Sequence, residues 1–462
     1  MSVSAPVGRL TDAPWPGLFL LKESARLPSK TKIIRESLDA KRPFAPPYRN
    51  SVTSQPASIN ISKTTSFRNV ASNFWNVAAA IVWTIALVVL AARPLLLSQR
   101  GTSFDTYGLA GSHWLHGEDL YTHWMGFVYS PLVAAFFAPF AFFPSAIANI
   151  VWRLISTAAL LGGLTALFRS NLFPGIKSQR IGIAYLLLAP LALGNIDISQ
   201  ANPLVAGLIM LAIAAVYTER WNSAALYIGI AAFFKIYPLA VGLLICVIAP
   251  RRFTWRLLSA LVLLTLAPFL FQHWSYVSHQ YGTWIATRMA EDRRNWPAEK
   301  LPLDLWFVLH SVLHLPIPQW IFTFIQLGSA ATVAVFCAFG SIKNWGPQRV
   351  LTGLFCLSAV WMTLCGPATE SYTYMLLAAP TLLALLQSMH SRQVFAIWVW
   401  ASVALQLFAV TRASFMPHFK PYWILSALPV SALLFLIYCL IWLPDEGCWP
   451  VWSRTTPNKF SS

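Results

Sequence analysis

The sequence predicts an all-α, polytopic membrane protein, a bundle of about twelve transmembrane helices with two long extracytoplasmic loops. Three observations predict it. Of the 462 residues, 57% are hydrophobic and only 11% are charged, where an ordinary soluble domain carries about a quarter charged residues. The apolar residues come in long blocks, among them 77–97, 181–193, 257–271, 321–339 and 424–443. Trp75, Trp274, Trp320 and Trp423 sit at block edges, where interfacial aromatic belts form.

Taken in order, residues 1–70 read as a disordered, basic cytoplasmic arm. They hold eleven Lys/Arg against four Asp/Glu, and many Pro. Their one apolar run, 18–21, is too short for a signal-peptide core. A single membrane domain then fills 71–443. Its first helix covers about 73–97 and leads into an outer loop at 98–127. Apolar blocks follow at 128–143, 146–168, 181–193, 203–217, 224–234, 239–249 and 257–271, and a second outer loop covers 273–318. Further blocks at 319–340, 350–365, 372–388, 394–411 and 421–443 close the domain before a cytoplasmic tail, 444–462.

Short basic loops mark the cytoplasmic side: Arg169 with Lys177 and Arg180, Arg251 with Arg252 and Arg256, and Lys343 with Arg349. They create a conflict. If both 128–143 and 146–168 cross, the loop 169–180 lies outside. One of those two is therefore re-entrant or interfacial, or one short block between 181 and 249 does not cross. The count stands at about eleven to thirteen crossings. The net charge of +17 reads as topology plus attraction to anionic membrane lipid, with no nucleic-acid partner expected. No pair among the six Cys has metal or redox spacing.

The chemistry concentrates in the first outer loop. Within 103–121 stand Asp105, Glu118 and Asp119, with His113, His116, Tyr107 and Tyr121. Small and aromatic residues from 107 to 115 suit a short interfacial helix ended by Gly117, with Asp105 just before it. Two readings of Asp105 stand: a helix cap, or an ionised carboxylate that takes the proton of an attacking sugar hydroxyl. Asn195, Asp197, Gln200 and Asn202 crowd one helix boundary, either lining a pocket or satisfying two helix ends. Lys235 and Arg153 are costly in lipid, which calls for a function, a partner or snorkelling. Glu370 is a cap or a second acidic site residue. No zinc spacing and no Gly-rich phosphate loop occurs, and no cofactor or metal is expected.

Several of these segments together resemble a known family. Asp105-Thr106-Tyr107 is followed by Ala110, Leu115, Gly117, Leu120 and Tyr121, then by Tyr129-Ser130-Pro131-Leu132. Ser199-Gln200-Ala201-Asn202 and Ala231…Lys235-Ile236-Tyr237-Pro238 come next, ahead of the basic Arg251-Arg252. The order is similar to that of glycosyltransferase family 87, polyprenyl-phosphate-dependent mannosyltransferases of the GT-C type, over about residues 74–285. Ser130 stands where the family pattern has Pro and Ser199 where it has Gly. At 367–372 a family His is missing, which bears on the acceptor more than on the reaction class.

The resemblance implies a GT-C-like bundle in a bacterial inner membrane. It implies inverting transfer of a hexose, by preference mannose, from a polyprenyl-phosphate donor to a lipid or glycan acceptor at the outer face. Asp105 would be the general base. The leaving phosphate needs cations, for which Arg288, Arg293, Arg294, Arg412, Lys420 and His310 are the candidates. A solvated face pairing with Glu291 and Asp292 is the plainer reading of 288–294. Tyr107, His113, His116, Glu118, Tyr121, Gln200, Asn202, Lys235 and Glu370 are candidates for the sugar and acceptor. The rival functions are a transporter or flippase of lipid-linked sugars, which would want acids near the midplane, and a silent scaffold.

Overall fold

The computed structural model describes residues 62–96, 101–122, 126–173, 176, 178–290, 302–343, 345–367, 369–391, 394–415 and 425–449; for 62–73, 178–179, 390–391 and 413–415 it describes the backbone only. Every regular element in them is helical. In chain order these are α1 (Ser62–Leu96), α2 (Ser103–His116), α3 (Pro131–Phe137), α4 (Ser145–Arg169), α5 (Ser178–Asp197), α6 (Asn202–Tyr217), α7 (Trp221–Phe234) and α8 (Leu239–Ile248). They continue as α9 (Pro250–Leu266), α10 (Trp274–Ala290), α11 (Gln319–Ile342), α12 (Pro347–Leu364), α13 (Met375–Ser391), α14 (Ile397–Phe415) and α15 (Ala427–Trp442). Residues 1–61 of the sequence-assigned arm lie outside the described residues, and α1 begins inside that arm.

Among the described residues seven helices are long and apolar enough to cross a bilayer, and five shorter apolar ones accompany them. In hydrocarbon every backbone N–H and C=O needs an internal partner, so continuous helix is the economical solution for such blocks. Packing divides the helices into inner and outer members. The span of α13 is 89% buried whereas that of α11 is 11% buried and presents its apolar side chains outward. At the centre α4 and α6 meet through glycines. A Cβ on Gly207 would lie 2.3 Å from the Ala159 carbonyl oxygen, so only a bare backbone fits. Small residues at such seams let helices approach closely in lipid.

The block 128–143 does not make a crossing. Pro131 opens α3 at its first turn, and after seven residues the chain tightens into a 3-10 turn, Ala138–Phe142. Pro139 cannot donate the backbone hydrogen bond that would prolong the α-helix. The two pieces together reach about 20 Å, short of the roughly 30 Å hydrocarbon core. The topological conflict in the sequence is thereby relieved, because α4 starts at the same end of the bundle as α2.

Hydrogen bonds define the two ends. At one, Ser103 N–H donates to Ile198 O (2.9 Å), Ser130 Oγ to Phe233 O (3.0 Å), and Leu303 N–H to Thr369 O (2.7 Å). At the other, Arg180 donates to Leu386 O (3.0 Å), and Arg349 to Leu443 O and Pro444 O (2.7 Å each). Arg252 pairs with Glu219 at 3.7 Å there as well. The basic loops thus share one end, with guanidinium groups on helix C-terminal carbonyls, where the macrodipole favours cations. Asp105 and Glu370 sit at the opposite end.

Candidate functional site

The site is built where α1, α2, α5, α6 and the start of α13 converge. Gly101, at φ +82°, turns the chain into α2. Its N–H and that of Thr102 both donate to Asp105 Oδ2, at 2.8 and 2.9 Å. Asp105 therefore stands in the first turn of α2, three residues after the cap, and not ahead of a helix starting at 107. The cap reading holds for one oxygen only. Oδ1 has no hydrogen-bond partner among the described residues, and the side chain is exposed.

Beneath Asp105, α2 is anchored by aromatic packing. Tyr107 is fully buried, stacked on Phe137 (ring centroids 4.9 Å apart) and edge-on to Trp152. Its hydroxyl lies 3.0 Å from that of Tyr129, whose carbonyl accepts from Tyr121 Oη at 2.8 Å. Tyr237 Oη donates to Asn202 Oδ1 (3.2 Å), and Asn202 Nδ2 donates to Asn195 Oδ1 (3.0 Å). Burial, with Tyr129 adding, pushes the Tyr107 and Tyr237 hydroxyls well above the usual phenol range. Burial does the same to Tyr121. These phenols stay protonated at physiological pH and serve as hydrogen-bond donors, not as bases.

Glu370 faces this cluster from the α13 side. Its field reaches both Tyr107 and Tyr237. Its N–H donates to Thr373 Oγ1 at 3.2 Å, which closes the 3-10 turn Ser371–Tyr374 and fits the cap reading. The carboxylate itself stays exposed. Lys235 lies 5.8 Å from the Tyr237 ring centroid, half-buried at the end of α7. Gln200 has a buried Oε1 with no hydrogen-bond partner among the described residues, and so does Asp197 with Oδ1. Ser199, between them, adopts φ +59°, the left-handed backbone that favours glycine. That is the position at which the family pattern carries Gly. Here Ser199 Oγ instead accepts from Arg153 Nε (3.0 Å) and donates to Asn149 Oδ1 (2.6 Å).

The other loop candidates are not brought to Asp105. Gly117, at φ +71°, ends α2 as its sequence suggests. His113 lies 3.3 Å from Glu118 Oε2 and 3.0 Å from Asp119 O, while His116 turns back on Ser112 O. Helix α10 clamps this end: Gln280 bonds Asp119 Oδ1 and Leu120 N–H, and Tyr276 donates to Glu118 O. Eight residues of helix, about 12 Å, separate His113 from Asp105.

The phosphate candidates are scattered. Arg288 is half-buried in the last turn of α10, Arg412 is half-buried late in α14, and His310 stacks on Trp306 (5.1 Å) in the π-helix Phe307–Val312. Arg293, Arg294 and Lys420 lie outside the described residues. Sequence reasoning missed one cation altogether. Arg93, in the last described turn of α1, pairs with Asp197 Oδ2 at 2.5 Å. Its position in an apolar block near a helix end was the available signal.

A helical membrane protein with Asp105, Asp197 and Glu370 at one end of the bundle and its basic loops at the other is the class that this architecture defines. The chain belongs to glycosyltransferase family 87, whose sequence pattern matches residues 127–367, just over half its length. The match begins after α2, so Asp105 lies outside it. Among solved structures the chain is similar to ArnT from Cupriavidus metallidurans, crystallised with undecaprenyl phosphate. Identity is 14% over 80% of this chain and 78% of that one, with a TM-score of 0.31. So loose an overlap carries no argument about the site. No curated protein matches the sequence.

Proposed function

We propose that the chain moves a hexose, with mannose the first sugar to test, from a polyprenyl-phosphate donor to a hydroxyl of a lipid or glycan acceptor. The reaction takes place at the extracytoplasmic face of a bacterial inner membrane, with both termini cytoplasmic. The acceptor oxygen attacks the anomeric carbon opposite the phosphate. The new C–O bond forms as the bond to the phosphate oxygen breaks, so configuration inverts and polyprenyl phosphate departs with the electron pair. Asp105 Oδ1 takes the acceptor proton.

The observation that carries this reading is the division of labour within one carboxylate. Two backbone N–H groups on Oδ2 fix the carboxylate in place, while Oδ1 on the exposed side chain has no hydrogen-bond partner among the described residues. Tyr107, Gln200, Asn202, Lys235 and Glu370 are the residues to hold the sugar and acceptor. His113, His116, Glu118 and Tyr121 shape the loop. Arg288, Arg412 and His310, with Arg293, Arg294 and Lys420, remain the candidates in the loops for the leaving phosphate. Every described Asp or Glu sits at a helix end or in a loop, which suits a surface reaction better than ion-coupled transport.

Transfer from radiolabelled polyprenyl-phosphate mannose in membranes holding wild type or Asp105→Asn tests it. Transfer by wild type that collapses in the variant at equal expression supports the reading. Equal transfer by both removes Asp105 from the role of base.

A further inference from the structure

The geometry points to Arg93 as the residue that binds the phosphate of the lipid-linked donor, with Asp197 as the acidic partner that competes with that phosphate for its guanidinium. This rests on the polyprenyl-phosphate reading above and adds a binding residue outside the loop candidates.

Four observations converge. First, Arg93 sits three residues from the end of α1, a candidate membrane span whose Val88, Val89, Leu95 and Leu96 are 53–79% exposed, an apolar surface suited to lipid. A polyprenyl chain lying in the bilayer would bring its phosphate to that depth. Second, the recorded contact to Asp197 uses one guanidinium nitrogen, and the Arg93 side chain remains 42% exposed. A guanidinium offers five N–H donors in a planar fork that suits phosphate oxygens.

Third, the local charge favours an anion. Arg153 lies 2% exposed just beneath, donating to Leu90 O, Ser199 Oγ and Asp197 O. Arg93 thus pairs with the Asp197 carboxylate and Arg153 with the Asp197 backbone carbonyl, so two guanidinium groups stand against one carboxylate, a local excess of one positive charge. That excess neutralises part of the charge developing on a departing phosphate. Fourth, the place is right. The Ser103–Ile198 hydrogen bond ties the start of α2 to the residue after Asp197, so Arg93 and Asp105 flank the same mouth from two helices. A phosphate on Arg93 would leave the sugar between it and the base.

The ion pair makes the proposal testable by sign. A purely structural pair would be weakened alike by losing either member. A phosphate-binding Arg93 held by Asp197 gives opposite effects, because removing Asp197 frees the guanidinium. The experiment measures binding of polyprenyl phosphate to the purified full chain in nanodiscs, with polyprenol of equal length and phosphatidylglycerol as competitors. Arg93→Gln is expected to weaken polyprenyl-phosphate binding about tenfold, the scale of one charge-assisted hydrogen bond, and to leave polyprenol unchanged. Asp197→Asn is expected to tighten it.

Weakening by both Arg93→Gln and Asp197→Asn would overturn the proposal, as would wild-type affinity in Arg93→Gln. Equal displacement by phosphatidylglycerol would make Arg93 an ordinary headgroup contact and would overturn it too. Those results leave the glycosyltransferase reading intact. Failure of wild type to bind polyprenyl phosphate at all would remove the donor class and this inference together. If Arg93→Gln does not fold, Arg93→Lys serves, with weaker binding expected because an ammonium lacks the fork.

Discussion

The two ends of α2 carry the same kinds of residue and use them differently. At the C-terminal end, Glu118 Oε2, Asp119 Oδ1 and both ring nitrogens of His113 contact one another, a nearby carbonyl or α10, and His116 turns back on Ser112 O. At the N-terminal end Asp105 commits one oxygen to the backbone and leaves the other outward. A dense run of acids and histidines in a charge-poor protein is thus two things at once. One half latches the first outer loop to α10, and the other half is the part proposed to react. Chemical type does not separate them; what separates them is the partner, side chains of α10 at one end and the backbone N–H groups of Gly101 and Thr102 at the other.

The comparison can be broken in several places. Asp105→Asn should have the largest effect on rate, a loss of about 10²–10⁴-fold, the usual contribution of a general base. Its melting temperature in detergent should barely move, because the Asn Oδ1 can still accept from Gly101 and Thr102. Gly111→Val should come next. A Cβ there would lie 2.5 Å from Phe137 O, so α2 must shift off α3. A stability loss of about 1–3 kcal/mol is expected, with slower transfer because Asp105 moves with the helix.

Glu118→Gln should act through stability, not rate. It weakens the His113 contact, and a loss under about 1 kcal/mol with transfer within about fivefold of wild type is expected. Gly117→Ala should be comparable, at about 1–2 kcal/mol, because φ +71° strains any Cβ even though nothing crowds the site. Unfolding midpoints measured beside transfer rates check all four. A Glu118→Gln enzyme slowed as much as Asp105→Asn would erase the distinction between the two ends.

Much of the fold is legible in the sequence because lipid imposes a simple rule. An apolar block must satisfy its own backbone, so blocks such as 321–339 and 394–411 become α11 and α14. The rule fails where a block is apolar but interrupted. Residues 128–143 look like a crossing, yet Pro131 and Pro139 divide them into one short helix and a tight turn. The blocks 203–217, 224–234 and 239–249, by contrast, become α6, α7 and α8, with breaks at Glu219-Arg220 and Lys235–Pro238.

The site is legible only in part. Asp105 and the 195–202 segment stand out by composition, and Gly117 correctly marks the end of α2. Arg93 does not stand out in the sequence, because its partner Asp197 comes 104 positions later. Glu370 reads as a cap or a second acidic residue, and only the packing shows that its field reaches Tyr107 and Tyr237. Such partnerships depend on helices meeting, and periodicity within one segment cannot report them.

The most direct test of the central claim is a single-turnover transfer assay with donor saturating, so that differences in binding drop out. Wild type, Asp105→Asn and Glu118→Gln would be compared in the same membranes. The account predicts loss of at least about 100-fold in Asp105→Asn and near wild-type turnover in Glu118→Gln. Wild-type turnover by Asp105→Asn would contradict it, and the base would have to be sought among the other carboxylates at that end of the bundle.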